Sequence, residues 1–265
     1  VSVPVLSEKS YGYTNWFSIN NIAKVHSLEP WSDDFFNMLK KYADLMAYGR
    51  QNMFFVPLKN LVEIVNHKPV LDTVRMNRYI QVFKDAGLRR VEFTHFAFRT
   101  ANDWSSTTLS SVFDENMLVN SEEGQDFYRL LFEQIKQAVR EFDLEGQCCF
   151  HIADEPTNEV AVDYKKFVQL FREYFPNEKI LEATMTEELT GSVDIWTPQL
   201  QEYQQNQDFY NQLKKDGAEI WVYSCLIPGG KWLNRLLDQE KLRQVYIGWS
   251  LPYFHLDGFL HWGLN

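Results

Sequence analysis

Cysteine is scarce in this chain. Its three copies, Cys148, Cys149 and Cys225 in 265 residues, are too few for a disulfide framework and lack the paired spacing of a structural zinc site. Cys148 and Cys149 are adjacent, so on a strand they point to opposite faces and serve packing. No apolar run is long enough to insert in a membrane, and no signal-like segment leads the chain. The opening VSVPVLSEKS, without a methionine, reads as the start of a processed protein or an excised domain. Basic charge is also short: 26 Lys and Arg face 36 Asp and Glu, for a net charge of -10. Without clustered cations, nucleic acid and anionic membranes are poor partners. No glycine-rich phosphate loop, nucleophile elbow, HExxH pattern or calcium loop occurs, and the six His are dispersed, so neither a metal nor another cofactor is expected.

What the chain has in quantity is aromatic rings. They form 15% of it, with 8 Trp, 13 Tyr and 20 Phe. Such rings fill cores and also stack on the apolar faces of sugars. With 45% hydrophobic and 23% charged residues, the composition is that of an ordinary globular chain, and one large domain over 1–265 is the expectation.

The most informative segment is CCFHIADEP, Cys148 to Pro156. Apolar residues that belong in a core lead into two adjacent carboxylates, Asp154 and Glu155, and Pro156 cannot continue a strand ladder. The pattern predicts a buried strand that delivers acids to its exit. Neighbouring carboxylates raise each other's proton affinity, so one can remain a protonated acid while the other stays ionised. The competing reading is a helix start capped by Asp154, with Glu155 and Pro156 in the first turn.

Strand and helix patterns alternate along the whole chain. Strands are expected at 11–17, 52–58, 89–96, 148–156, 179–184, 193–198, 218–225 and 257–265. Helices are expected near 33–49, 73–86, 124–142, 159–174, 205–216 and 238–248. Eight strands separated mostly by helices predict a single-domain α/β fold, a (β/α)₈ TIM barrel, whose usual size is about 250 residues. A doubly wound open sheet is the alternative, but its glycine-rich first turn is missing.

In such a barrel the strand exits surround the reaction centre. They gather Asn15 and Trp16, His95, Asp154 and Glu155, Trp196, Tyr223, and Trp262 with Asn265. Carboxylates among rings suit glycoside hydrolysis, whose usual form places two carboxylates about 5 to 10 Å apart across the scissile bond. The exit of the seventh strand, EIWVYSC, offers Tyr223 where a second carboxylate is wanted. A substrate that supplies its own nucleophile, a 2-acetamido group, resolves this. Glu155 would then protonate the leaving oxygen and Asp154 would orient the acetamido nitrogen. Glu92 or Glu182 as a protein nucleophile, acting on a sugar without the acetamido group, stays open, as does a sugar-binding barrel without turnover.

The motifs HIADEP, IWVYSCLIPGG and the stretch from Arg243 through GWSLPYFHLDGFLHWGLN, with the eight-strand order, resemble the domain of unknown function 4091, a relative of glycoside hydrolase family 123. The resemblance is firmest from Cys148 to Asn265. It implies a retaining β-N-acetylgalactosaminidase that acts on glycans, with Asp154 as stabiliser of the acetamido intermediate and Glu155 as acid/base. It also implies that Tyr223, Trp262 and Asn265 line the sugar pocket. Relatives of this kind carry an added β-sandwich and work outside the cytoplasm of bacteria, so a catalytic domain trimmed of its sandwich is expected here.

Overall fold

The alternation read from the sequence closes almost completely into a barrel. A computed structural model describes residues 11–265, and the opening VSVPVLSEKS falls outside them. The barrel strands are β1 (Gly12–Asn15), β2 (Met53–Val56), β3 (Arg90–Phe93), β4 (Cys148–Phe150), β5 (Lys179–Glu182), β6 (Ile195–Trp196), β7 (Glu219–Ser224) and β8 (Gly258–His261). They pair in parallel, β1 with β8 and then downward in sequence to β2. Parallel neighbours need crossovers. These are α1 (Ile19–Val25) and α2 (Asp33–Tyr48), α3 (Thr73–Asp85), α4 (Glu122–Glu141), α5 (Ala161–Tyr174), α6 (Leu200–Gln205) and α7 (Gln207–Lys215), and α8 (Lys241–Tyr253). Only a 3₁₀ turn, Glu187–Leu189, lies between β5 and β6.

Local chemistry explains the helix starts. Ser18, Ser32, Asp72 and Ser121 each accept a hydrogen bond from a backbone N–H three residues on, which satisfies a donor the helix itself leaves free. The helix expected over 205–216 is α7, and the short α6 before it, which the periodicity does not predict, is set apart by Asn206 at φ -118°, ψ 35°. The polar excursion after β3 holds an antiparallel hairpin, Ala97–Arg99 with Leu109–Ser111. A second hairpin pairs Val62–Val65 with Lys68–Leu71.

Strand alternation divides the core in two. Met53, Cys149, Leu181, Ile195, Trp221 and Leu260 fill the barrel, while Cys148 and most of the Phe residues pack between strands and helices. Trp221 forms the barrel floor between two glycines. A Cβ on Gly12 would sit 1.8 Å from its ring, and one on Gly258 2.3 Å.

Closure at β1 and β2 has one backbone bond, Asn52 N to Tyr13 O at 3.3 Å, and otherwise uses side chains in place of a strand ladder. The Asn52 amide donates to Tyr11 O (2.7 Å) and its oxygen accepts from Tyr13 N (2.9 Å). Gln51 bonds the Asn15 side chain (3.0 Å) and the Asn15 carbonyl (3.3 Å). These amides supply the partners that unpaired strand edges require.

Candidate active site

The acids leave β4 as the sequence predicts. The α5 helix begins at Ala161 with Val160 as its cap, so Asp154 and Glu155 lie in the preceding bend and cap no helix. Their backbone is unusual. Glu155 adopts φ +42°, a left-handed conformation that costs a non-glycine residue on the order of 1–3 kcal/mol and persists only where its surroundings enforce it. Arg99, from the hairpin, donates through Nη1 to the carbonyls of Asp154 (2.7 Å) and Glu155 (2.5 Å). Its guanidinium carbon lies 3.8 Å from the ring centroid of Trp104.

Glu155 Oε1 accepts a hydrogen bond from the Tyr223 hydroxyl, which in turn accepts one from Gln199 Nε2 at 3.0 Å. Burial pushes the Tyr223 pKa well up, and the Glu155 charge pushes it further. The phenol therefore remains a donor. Asp154 is half exposed, with Oδ1 3.8 Å from His95 Nε2. Burial first, and the charge of His151 second, lower the His95 pKa to about 4, so this ring is neutral near pH 7.

Two cavities meet at the acids. A cavity of about 360 Å³ is lined by Glu155, Tyr223, Leu226, Leu260 and Trp262, with Asp154 and Trp16 at its edge. Asp154 and Trp16 also border a cleft of about 900 Å³ that runs past Phe55, Lys59 and His95 to Asp114, Glu115 and Asn116. The first has the size of a small ligand site, and the second leaves room for an extended one.

Beneath the acids lies a buried network. Glu92 accepts from Thr14 Oγ1 (2.7 Å) and Trp16 Nε1 (2.6 Å), and its Oε1 lies 2.6 Å from His151 Nε2. Glu182 Oε1 accepts from Ile152 N (2.5 Å), Ala153 N (3.1 Å) and Tyr164 Oη (2.9 Å). Its Oε2 lies 3.9 Å from His151 Nδ1. Burial alone would lower the His151 pKa, but the Glu182 carboxylate beside it and the hydrogen-bonded Glu92 raise it to about 9. His95, His151 and Glu182 also form the one cluster of metal-ligand type among the described residues, with candidate atoms within 4.8 Å of one another. A metal ligand must be unprotonated. Glu92 and Glu182 favour the protonated form of His151, and that proton competes with a cation for this place.

The structure brings Trp16, His95, Tyr223 and Trp262 to the acids and moves three expected residues away. Trp196 is fully buried on the helix side, where its Nε1 donates to Val193 O (3.2 Å) and its ring meets Phe209. In two-residue β6, Ile195 takes the inward position and alternation turns Trp196 outward. Asn15 belongs to the β1–β2 closure and accepts from Arg235 Nη1 at 2.6 Å. Asn265 ties the chain end to Ser18, accepting from its N–H (2.8 Å) and donating to its carbonyl (3.1 Å). Sequence reasoning missed Leu260, which the inward parity of Trp262 could have supplied. It also missed the contact of Arg99, which no periodicity announces.

The sequence matches the glycoside hydrolase 123 catalytic domain over residues 16–265. No curated protein matches it significantly. Among solved structures, a family 123 glycoside hydrolase from Clostridium perfringens superposes with a TM-score of 0.73 at 14% identity, over 98% of this chain and 50% of that one. An exo-beta-1,4-mannosidase from Opitutaceae bacterium strain TAV5 gives 0.59 at 13% identity, over 98% and 55%. A GH10 xylanase from Thermobacillus composti gives 0.53 at 11%, over 97% and 85%. The chain thus spans about half the length of the first two relatives. At these identities the likeness establishes the barrel, and the domain match establishes the class: the chain belongs to glycoside hydrolase family 123 and carries its catalytic domain.

Proposed function

We propose that the protein is a retaining, exo-acting hydrolase that releases β-linked N-acetylgalactosamine from glycans with help from the substrate's own acetamido group. One observation carries this reading. Among the described residues, the carboxylates lining the small cavity are Asp154 and Glu155, adjacent in sequence and on one wall. Glu92 and Glu182, the other candidates for a nucleophile, are fully buried and bound to donors beneath the cavity floor. Double displacement requires a second carboxylate on the opposite face of the sugar, and among the described residues Asp114 and Glu115, the further carboxylates near Asp154, border only the larger cleft and not the small cavity.

In the proposed reaction Asp154 accepts the acetamido N–H and aligns the acetamido oxygen, which attacks the anomeric carbon. Glu155 gives its proton to the glycosidic oxygen as that bond breaks. The cyclic intermediate carries positive charge that the Asp154 carboxylate stabilises. Glu155 then takes a proton from water, whose attack restores the anomeric configuration. Trp16, His95 and Trp262 wall the sugar, and Tyr223 positions Glu155 in the free enzyme and meets the acetamido oxygen in the complex. The Clostridium perfringens relative is described in terms of glycolipid glycan hydrolysis, and a glycan ending in an acetamido sugar is the substrate class proposed here.

The test is hydrolysis of matched aryl β-glycosides of N-acetylgalactosamine, N-acetylglucosamine and galactose by wild type and Glu155→Gln. Turnover confined to the acetamido sugars, with the galactosaminide fastest, supports the reading. Turnover of the galactoside would require a protein nucleophile, and sugar binding without turnover would make this a binding barrel.

A further inference from the structure

We infer that Arg99 is the positioning residue of the acid/base, an inference that rests on the reading of Glu155 given above. The two carbonyls that Arg99 Nη1 holds belong to the peptide planes on either side of the Glu155 Cα. Fixing both planes fixes φ and ψ of that residue. Charge-assisted hydrogen bonds are stronger than neutral ones, so one guanidinium nitrogen enforces the left-handed conformation at φ +42°. That conformation directs the Glu155 carboxylate to the Tyr223 hydroxyl and the small cavity. In an ordinary extended geometry, the carboxylate would leave from the other side of the backbone.

Arg99 is itself held rigidly. Its hairpin begins with Ala97, which pairs with Ala153 and donates to Ile152 O at 2.9 Å. The Tyr128 hydroxyl of α4 reaches Phe96 O (2.5 Å) and Ser111 Oγ (2.8 Å), and Asp163 of α5 accepts from Leu109 N (2.8 Å). Trp104 covers the guanidinium face. Arg99 is nearly buried and lines neither of the two cavities beside the acids, so it acts through Glu155. Lysine, a point charge on a flexible stem, can offer a donor to the carbonyls but lacks the planar face that stacks on Trp104, so it replaces arginine only in part.

The experiment compares kcat and KM of wild type, Arg99→Ala, Arg99→Lys and Glu155→Gln on aryl β-N-acetylgalactosaminides with good and poor leaving groups, alongside thermal unfolding. Misplacing a catalytic group by about 1 Å costs roughly a hundredfold. Arg99→Ala is expected to lose about that much kcat on the poor leaving group, far less on the good one, with KM little changed. Arg99→Lys should recover part of the loss, and added guanidinium chloride at low concentration should rescue Arg99→Ala. Equal losses on both leaving groups in Arg99→Lys, together with a lowered melting temperature, would reduce Arg99 to a structural role and overturn the inference. So would unchanged kinetics in either variant. If Arg99→Ala does not fold, the Arg99→Lys leaving-group dependence decides alone. If Glu155→Gln shows the leaving-group signature and the Arg99 variants do not, this inference fails while the acid/base reading stands. If Glu155→Gln lacks it, both fail.

Discussion

The Tyr223 hydroxyl donates to Glu155 Oε1 across the barrel mouth, from the exit of β7 to the exit of β4. The contact spans the place where many barrel glycosidases oppose two carboxylates. Here one side is a carboxylate and the other a phenol that burial keeps protonated. Tyr223→Phe retains the ring and removes the donor. The expected result is a fall in kcat on N-acetylgalactosaminides of about a hundredfold, the usual cost of one donor to a developing charge, with an unfolding midpoint close to wild type.

The two acids should separate by leaving group. Glu155→Gln is expected to abolish most turnover of substrates with poor leaving groups and to spare activated aryl glycosides, which need little protonation. Asp154→Asn should slow both classes, because in the proposed mechanism the acetamido group needs alignment whatever the leaving group. Similar, small losses in the two variants would sink the assignment.

Stability should decline on the alkaline side. His151 has a folded pKa of about 9, above the unfolded value of about 6.5. Its contribution is fully present below the unfolded value and is lost as pH rises through the folded one. Glu182, raised first by burial, acts in the same direction. His95 and His261, each lowered to about 4 chiefly by burial, act oppositely and favour the folded state less as pH falls below the unfolded value. Urea unfolding from neutral pH to 9 should show a falling midpoint. A flat profile would mean that His151 is not protonated in the folded protein.

Breaking the buried network should cost more than any surface change. Glu92→Gln removes a charge that faces His151 at 2.6 Å in a fully buried setting. Loss of one partner from a buried ion pair typically costs about 3–5 kcal/mol. Chemical denaturation measures it directly, and a loss below about 1 kcal/mol, the scale of an exposed pair, would contradict the arrangement.

The barrel floor gives a test independent of catalysis. Gly12→Ala places a methyl group 1.8 Å from Trp221 Cζ2, and overpacking of this kind costs about 1–3 kcal/mol or more. Reduced stability with a shifted Trp fluorescence spectrum is expected. Gly263→Ala, with open space around it, serves as the control.

The eight-strand barrel was legible because apolar strand runs and helical periodicity are local signals, and CCFHIADEP carries both its strand and its acids in nine consecutive residues. Trp196 shows where that reading stops. Its distance along the strand was right, but in a two-residue strand nothing in the sequence announces which side faces inward. Glu92, His151 and Glu182 were visible as residues, yet their convergence depends on three strands meeting in space, a relation that no spacing encodes. Arg99 falls between the strand expected over 89–96 and the helix expected over 124–142, where no element is predicted, because a three-residue strand is too short for alternation to register.

The side-chain fastening between β1 and β2 gives the ring a clasp. A strand ladder joins its neighbours by a row of backbone bonds, whereas this seam has one such bond and the side chains of Asn52 and Gln51. Trp16 and Phe55, stacked with centroids 5.3 Å apart, are rooted on opposite sides of that clasp and both border the larger cleft. The barrel wall is therefore joined by the fewest backbone bonds beside the larger cleft, and amide hydrogen exchange should be fastest along this one meridian of the wall.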